Sequence, residues 1–128
     1  MNIVDGCNRL LMLGGAFRET AGQLAEKWKP DAAPPTVLMG ELGCVIADAA
    51  RSGANDVVRE ALSVVEQLMK EGDQQLKDAV ATGLLESLLA EASAGKLDFG
   101  LIGPHLGEMA RSYCKAWDAF TGVKTKGV

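Results

Sequence analysis

The segment "GDQQLKDAVATGLLESLLAE", residues 72–91, decides the fold because it combines strong helix formers with an unusually wide apolar surface. Only Gly83 argues against a helix, since glycine inside a helix costs roughly 1 kcal/mol relative to alanine. On a helical wheel the apolar arc comprises Leu76, Val80, Leu84, Leu85, Leu88 and Leu89. The remaining polar window is narrow and consists of Asp78, Thr82, Glu86 and Ser93. A helix that is apolar on most sides is buried on most sides, so we predict a central buried helix near residues 74–93.

A stripe of small side chains runs beside this leucine arc and comprises Ala79, Gly83, Ser87 and Ala90. Small residues allow a neighbouring helix to approach closely, and a Cβ atom at Gly83 would then clash. We therefore predict that Gly83→Leu disrupts packing by overfilling, despite the better helix propensity of leucine. In the segment before the hairpin, Gly40 and Gly43 either weaken a helix or allow a similar close approach.

The segment "DVVREALSVVEQLMKE", residues 56–71, is amphipathic with the 3.6-residue period of an α-helix. Glu66 and Lys70 stand four residues apart in the favourable order for an ion pair. Gly72 then suits the end of a helix, and Asp73 suits the N-cap of the next one. Because so short a link forces the two helices to run antiparallel, they are predicted to form an αα-hairpin.

No segment of useful length alternates with the period of two that a half-buried strand requires, so the chain is predicted to be all-α. Further helical stripes precede Pro30 and follow Pro104, which suits the first turn of a last helix. We predict a single helical domain, residues 1–128, folded as an antiparallel bundle of five to six helices in an αα-hairpin array. Residues 36–121 would provide the core helices. The sequence leaves open whether the N-terminal helices of residues 1–35 pack loosely on this core or pair with another chain.

Apolar residues line one face of the predicted last helix: Leu106, Met109, Ala110, Tyr113, Trp117 and Phe120. Gly122 is expected to end this helix, and residues 123–128 are expected to be frayed. Just before the helix, residues 94–103 form a predicted loop whose apolar side chains fold back onto the core.

The composition is that of an ordinary folded chain, with 48% hydrophobic and 23% charged residues. The net charge is −4, and residues 36–98 hold eleven acidic against five basic side chains. Phosphate contacts need clustered Lys and Arg, so we expect no direct nucleic-acid partner. The acidic middle is compatible with a basic protein partner, although a mildly acidic solvated surface explains the same charge more simply.

Nothing in the hydropathy pattern indicates a membrane segment, because no run reaches the ~18 apolar residues of a membrane span. The N-terminus lacks the basic start of a signal peptide, and polar residues interrupt its apolar stretch. The three cysteines are widely spaced and form no CxxC pattern, so we expect reduced thiols. We therefore predict a soluble cytoplasmic protein without a membrane partner.

Residues with catalytic or metal-binding chemistry form no familiar pattern. His105 is the only histidine, which excludes a two-histidine metal site. If His105 and Cys114 lie on one helix, they are about 13 Å apart at 1.5 Å per residue, too far for a nucleophile and its base. We predict no catalytic residue, no metal site and no cofactor.

Glu86 is the polar residue that stands out, because leucines flank it in the narrow polar window of the central helix. It is either a surface glutamate that pairs with a basic side chain of a neighbouring helix or a contact for a basic partner. A catalytic carboxylate would need a second acid or a metal nearby, and nothing in the sequence nominates one.

The hairpin and the later segment "FGLIGPHLGEMARSYCKAW" resemble a group of small all-α bacterial proteins. Three features match: a Gly-Asp turn (Gly72-Asp73), a Leu-Glu pair (Leu85-Glu86) and a Leu-Gly pair (Leu106-Gly107). The likeness covers roughly residues 36–118. Many members of this group are uncharacterised, and others resemble immunity proteins encoded beside polymorphic or contact-dependent growth-inhibition toxins.

The resemblance implies an immunity protein that binds a cognate toxin domain, commonly a nuclease, and covers its active or substrate-binding site. A nuclease is basic around its site, so an acidic protein can compete for that surface. The candidate contacts are acids of the hairpin that we expect to be exposed: Glu60, Glu66, Asp73, Asp78 and Glu86. The alternative is a non-catalytic helical adaptor or regulatory module. The sequence leaves the oligomeric state open and slightly favours a monomer.

Overall fold

The computed structural model describes residues 1–128 and contains helices and turns but no strand. The α-helices are α1 (Ile3–Leu11), α2 (Gly15–Trp28), α3 (Pro35–Arg51), α4 (Asn55–Glu71), α5 (Gln74–Ala79), α6 (Glu86–Ser93) and α7 (Glu108–Thr121). A π-helical segment, Val80–Leu85, joins α5 to α6, and two 3-10 turns, Phe99–Leu101 and Gly103–His105, precede α7. The prediction of an all-α protein is confirmed, with seven α-helices instead of five to six.

α5, the π-helical segment and α6 follow one another without a break and together form the central helix. Its leucine-rich arc is fully buried, with 0% exposure for Leu76, Val80, Leu84, Leu85, Leu88 and Leu89. The π-helical segment was not predicted, because its hydrogen bonds reach from residue i to i+5 and apolar periodicity does not reveal this change. It divides the predicted single α-helix into two, which explains part of the difference in the helix count.

The close approach predicted at Gly83 is the contact between α3 and the π-helical segment. A Cβ atom on Gly83 would lie 2.5 Å from the carbonyl oxygen of Thr36 and 2.8 Å from Cβ of Met39. From the other side, a Cβ atom on Gly43 would lie 2.9 Å from the carbonyl oxygen of Leu84. Backbone atoms cannot turn aside as a flexible side chain can, so the two helices depend on glycine at both positions.

The turn between α4 and the central helix consists of Gly72 and Asp73, as predicted. Asp73 is the N-cap of α5, and its carboxylate accepts a hydrogen bond from the amide of Leu76 at 3.0 Å. Gly72 is extended, with φ −69°, so its conformation does not require glycine. Glycine is required at this position for lack of space, because a Cβ atom there would lie 2.5 Å from the carbonyl oxygen of Leu68.

The helices of residues 1–35 contribute to the same core as the rest of the chain. Leu10 in α1 is 0% exposed and Phe17 in α2 is 1% exposed, and both belong to the main hydrophobic cluster. The carbonyl oxygen of Met1 accepts a hydrogen bond at 2.8 Å from the amide of Asp73. The start of the chain therefore packs directly on the hairpin turn.

The approach to α7 differs from the prediction at one point. Pro104 lies in the second 3-10 turn, and α7 begins only at Glu108, so Pro104 is not in the first turn of the last helix. The preceding loop does fold back onto the core through Leu97, Phe99 and Ile102, although Leu101 is 38% exposed. Gly122 ends α7 in the left-handed region, with φ 78°, as predicted.

The prediction that residues 123–128 are frayed is wrong, because this segment folds back against α7 and the preceding loop. Asp118 of α7 accepts hydrogen bonds at 2.8 Å from both the amide and the hydroxyl group of Thr125. Val128 is half-buried and packs against the core. The sequence VKTKGV is polar enough to suggest fraying, and only these tertiary contacts show that it is docked.

Candidate partner-binding surface

The structure places the five predicted contact residues in three different settings. Glu60 is exposed on α4, and Asp73 caps α5 while its side chain stays exposed. Glu66 is bound at the start of α7. Asp78 is exposed and Glu86 is partly exposed on the polar edge of the central helix. The five acids therefore do not form one surface, and only Asp78 and Glu86 share an edge of one helix.

Glu66 is the N-terminal cap of α7 although it belongs to α4. Its carboxylate accepts hydrogen bonds from the amides of Met109 at 2.8 Å and Ala110 at 3.0 Å. These amides have no partner within the first turn of a helix, and α7 has no side-chain cap of its own. The side chain of Glu66 is only 12% exposed, so the expectation that it is exposed is wrong. The predicted pair with Lys70 is present at 4.0 Å.

Gly107 makes this capping contact feasible. A Cβ atom on Gly107 would overlap the side-chain carbons of Glu66. The Leu-Gly pair on which the resemblance partly rests therefore has a structural reason, which is the space that the Glu66 carboxylate needs to reach α7.

Glu86 pairs with Tyr113 of α7, whose hydroxyl group donates a hydrogen bond to Oε2 of Glu86. One interpretation of the sequence held that Glu86 pairs with a basic side chain of a neighbouring helix. Its partner within the chain is instead a tyrosine. Burial raises the pKa of Tyr113, and the hydrogen bond to Glu86 and the negative charges of Glu86 and Asp78 raise it further. Asp78, Glu86 and Tyr113 thus lie close enough to influence one another electrostatically.

Aromatic side chains of α7 extend this acidic edge into an exposed apolar surface. Phe120 is 91% exposed, and Trp117 is partly buried against the core. The predicted apolar face of the helix is buried only where it meets its neighbours, as at Ala110, which is 1% exposed. We define the acidic–aromatic surface as Asp78, Glu86, Tyr113, Trp117 and Phe120.

A cavity of about 330 Å³ opens in the acidic–aromatic surface. It is lined by Glu86, Tyr113, Ala116, Trp117, Phe120 and Thr121. The ion pairs of the structure all involve other acids, so neither Asp78 nor Glu86 is neutralised by a lysine or an arginine. Oε1 of Glu86 makes no hydrogen bond, since Tyr113 binds the other oxygen. The cavity therefore presents an unpaired negative charge beside aromatic rings.

Residues 11–121 match the family model described as "Domain of unknown function (DUF7674)". The chain belongs to this family. No curated protein and no solved structure matches it. The part that matches DUF7674 includes the whole acidic–aromatic surface and excludes the docked segment of residues 123–128.

Sequence reasoning missed Phe120 and Trp117 as surface residues of this DUF7674 domain. Helical periodicity correctly places them near the face of Ala110, but it cannot show where the neighbouring helices end. The last buried residue of α7 is Cys114, so Phe120 lies beyond the packed part of the helix. The one available signal was its position two residues before Gly122, at the very end of the helix.

The residues considered for catalysis lie apart in the DUF7674 fold. His105 belongs to a 3-10 turn, whereas Cys114 belongs to α7, so these two residues do not share a helix as the sequence estimate assumed. Cys114 is 0% exposed. Burial raises the pKa of Cys114 to about 12, which keeps its thiol protonated at neutral pH. Burial also raises the pKa values of Cys7 and Cys44.

No group of three or more His, Cys, Asp or Glu side chains could hold a metal ion. None of the helices combines the length and the apolar character needed to cross a membrane.

Proposed function

We propose that this protein is an immunity-type protein that binds a cognate bacterial toxin domain and neutralises it by covering its active or substrate-binding site. The acidic–aromatic surface carries the proposal, because its two carboxylates lack a cationic partner and its Phe120 is 91% exposed. Aromatic residues are enriched in protein interfaces and often dominate their binding energy. An exposed phenylalanine beside acids that lack a cationic partner is therefore suited to bind a basic protein surface.

The charge distribution supports a basic partner. A toxin domain that cleaves nucleic acid must bind phosphates, so lysines and arginines surround its site. Residues 36–98 carry a clear acidic excess, which would accelerate association with such a surface and make the rate sensitive to salt. We propose that this encounter takes place in the cytoplasm, where a nuclease toxin would reach its substrate.

We propose Asp78 and Glu86 as the central contacts, because they belong to the acidic–aromatic surface. The exposed acids Glu60 and Asp73 remain proposed contacts outside this surface. Glu66 is unsuitable for testing by charge reversal, because Glu66→Lys would remove the cap of α7. A loss of binding in that variant would report damage to the fold instead of a lost contact.

The proposal predicts a toxin gene beside this one, and co-expression with that toxin tests it. Cells that express the toxin domain alone should stop growing, and cells that also express this protein should grow. The double variant Asp78→Lys, Glu86→Lys should protect poorly, and circular dichroism should show that it stays folded, a check that is needed because Glu86→Lys also removes the hydrogen bond from Tyr113. The double variant Glu19→Lys, Glu26→Lys is the matched control, since it reverses two exposed acids of α2 outside the acidic–aromatic surface. If cells that express both proteins die as fast as cells with the toxin alone, the protein is not its immunity protein. A non-catalytic adaptor or regulatory module would then be the better description.

A further inference from the structure

We infer that the cavity of the acidic–aromatic surface holds an arginine side chain of the partner protein, with its guanidinium group between Glu86 and the rings of Trp117 and Phe120. The identity of the partner rests on the proposed function. The chemistry of the occupant rests on the cavity itself, and it can be tested without the partner.

The Glu86 carboxylate is already oriented for such a contact. The hydroxyl group of Tyr113 binds Oε2, Oε1 makes no hydrogen bond within the chain, and Glu86 lines the cavity. An incoming donor would therefore meet an acceptor whose rotamer is held in place, which lowers the entropy cost of binding. Hydrogen bonds in which both groups are charged are also stronger than neutral ones.

The aromatic walls favour a guanidinium over an ammonium group. Arginine is planar, stacks on aromatic faces and binds carboxylates through several N–H groups at once. Lysine is a compact charge that holds its hydration shell more strongly. The cavity, about 330 Å³, has one acidic residue among six and three aromatic ones, and this combination fits the flat, weakly hydrated cation.

A second copy of this chain is a poor occupant. A symmetric dimer through this surface would bring Asp78 and Glu86 close to the same acids of the other copy, since a two-fold interface uses one patch on both subunits. Each copy has a net charge of −4, and no lysine or arginine lines the cavity. The surface therefore favours a partner that supplies the positive charge.

Titration with defined peptides tests this inference. Three amphipathic peptides of equal length, built from leucine with arginine, lysine or glutamate, would be added to the ¹⁵N-labelled full chain. The signal of the Trp117 indole N–H reports on the cavity, and Trp28→Phe identifies it, because the chain has two tryptophans. The arginine peptide should shift this signal and the Phe120 amide, the lysine peptide should bind several-fold more weakly, and the glutamate peptide should leave both unchanged.

Two variants identify the groups responsible. Glu86→Gln keeps the shape of the side chain and should weaken binding of the arginine peptide by about tenfold, as expected for the loss of a charge-assisted hydrogen bond. Phe120→Ala should weaken it by about fivefold through the loss of stacking, and since Phe120 is 91% exposed the fold should be unaffected. Equal shifts from the arginine and glutamate peptides, shifts confined to another face, or unchanged affinity in both variants would overturn the inference.

The two proposals can fail separately. If the arginine peptide binds as described but the protein does not protect cells from the neighbouring toxin, the arginine site stands and the immunity function is wrong. If protection is full while the peptide results fail, the function stands and the toxin is bound through other contacts.

Discussion

Replacing Gly83 by alanine tests how the central helix packs on α3. The new Cβ atom would lie 2.5 Å from the carbonyl oxygen of Thr36 and 2.8 Å from Cβ of Met39, and real Cβ atoms essentially never approach this closely. The first contact is with backbone, so relief requires α3 to move away from the helix. Since α3 supplies Met39 and Leu42 to the fully buried core, this movement would loosen the packing around them.

Two opposing effects set the magnitude. Alanine gains roughly 1 kcal/mol over glycine in helix propensity, whereas overpacking a core costs roughly 1–3 kcal/mol and occasionally more. Because two close contacts arise, one of them with backbone, the overpacking cost of Gly83→Ala should lie at the upper end of this range, about 3 kcal/mol. After the gain in helix propensity, we expect a net loss of about 2 kcal/mol in the free energy of unfolding. For a chain of this length, the melting temperature should fall by roughly 8 °C. Gly83→Leu should lose more, because its larger side chain meets the same backbone.

Urea unfolding followed by circular dichroism measures this change, and Gly22→Ala is the matched control. Gly22 lies inside α2, is exposed, and a Cβ atom there would meet nothing within 4 Å. The control should therefore be more stable than the wild type by roughly 0.5–1 kcal/mol, from helix propensity alone. If Gly83→Ala were as stable as the wild type, or if both variants gained stability together, the close packing of α3 on the central helix would be refuted.

Three further predictions concern other contacts of the structure. Glu66→Ala should lower the free energy of unfolding by about 2 kcal/mol, because it removes two capping hydrogen bonds from α7. The control Glu60→Ala, on the same helix, should stay within about 0.5 kcal/mol of the wild type. Equal effects of the two variants in urea unfolding would argue against the cap. Since the pKa of Tyr113 is raised in the folded state, its contribution to stability should be complete below the ordinary tyrosine pKa of about 10 and lost as the pH rises further. Tyr113→Phe should flatten this alkaline loss of stability, and an absorbance titration of the single tyrosine should show ionisation above the usual pH. Cys114 should react with a thiol reagent only after unfolding, since it is fully buried and its pKa is raised to about 12. Mass spectrometry measures the labelling, and rapid labelling of Cys114 in the folded protein would contradict its buried position.

Local patterns predicted the turn between α4 and the central helix well, because its determinants lie close together in sequence. The N-cap at Asp73 acts on an amide three residues later, and the leucine arc of the central helix follows one helical period. The need for glycine at Gly83 was also readable, since a small residue among leucines indicates close packing. The π-helical segment was not readable, because one wider turn leaves the apolar composition unchanged.

The features that define the surface depend on contacts between distant residues. Glu66 reaches the amide of Met109 over 43 positions of sequence, so its role as a cap could not be separated from that of a free acid. The exposure of Phe120 depends on where the neighbours of α7 end, which no helical wheel contains. A buried and an exposed aromatic residue look alike in the sequence of one helix.

The motif residues behind the resemblance have mostly structural roles. Gly72 and Asp73 form and cap the hairpin turn, and Gly107 leaves room for the carboxylate of Glu66. Leu85 is fully buried. Glu86 is the exception, because it reaches the surface and lines the cavity together with the exposed Phe120.

The affinity of the purified protein for the toxin domain that the proposed function requires, measured by calorimetry, tests the central claim most directly. If the acidic–aromatic surface is the binding site, the double variant Asp78→Lys, Glu86→Lys should raise the Kd by at least about tenfold at low salt, because two attractive charges become repulsive. The matched double variant Glu19→Lys, Glu26→Lys, which reverses two exposed acids of α2, should leave the Kd within about twofold. If the toxin domain binds the wild type and the double variant with the same Kd while both remain folded, this surface is not the binding site.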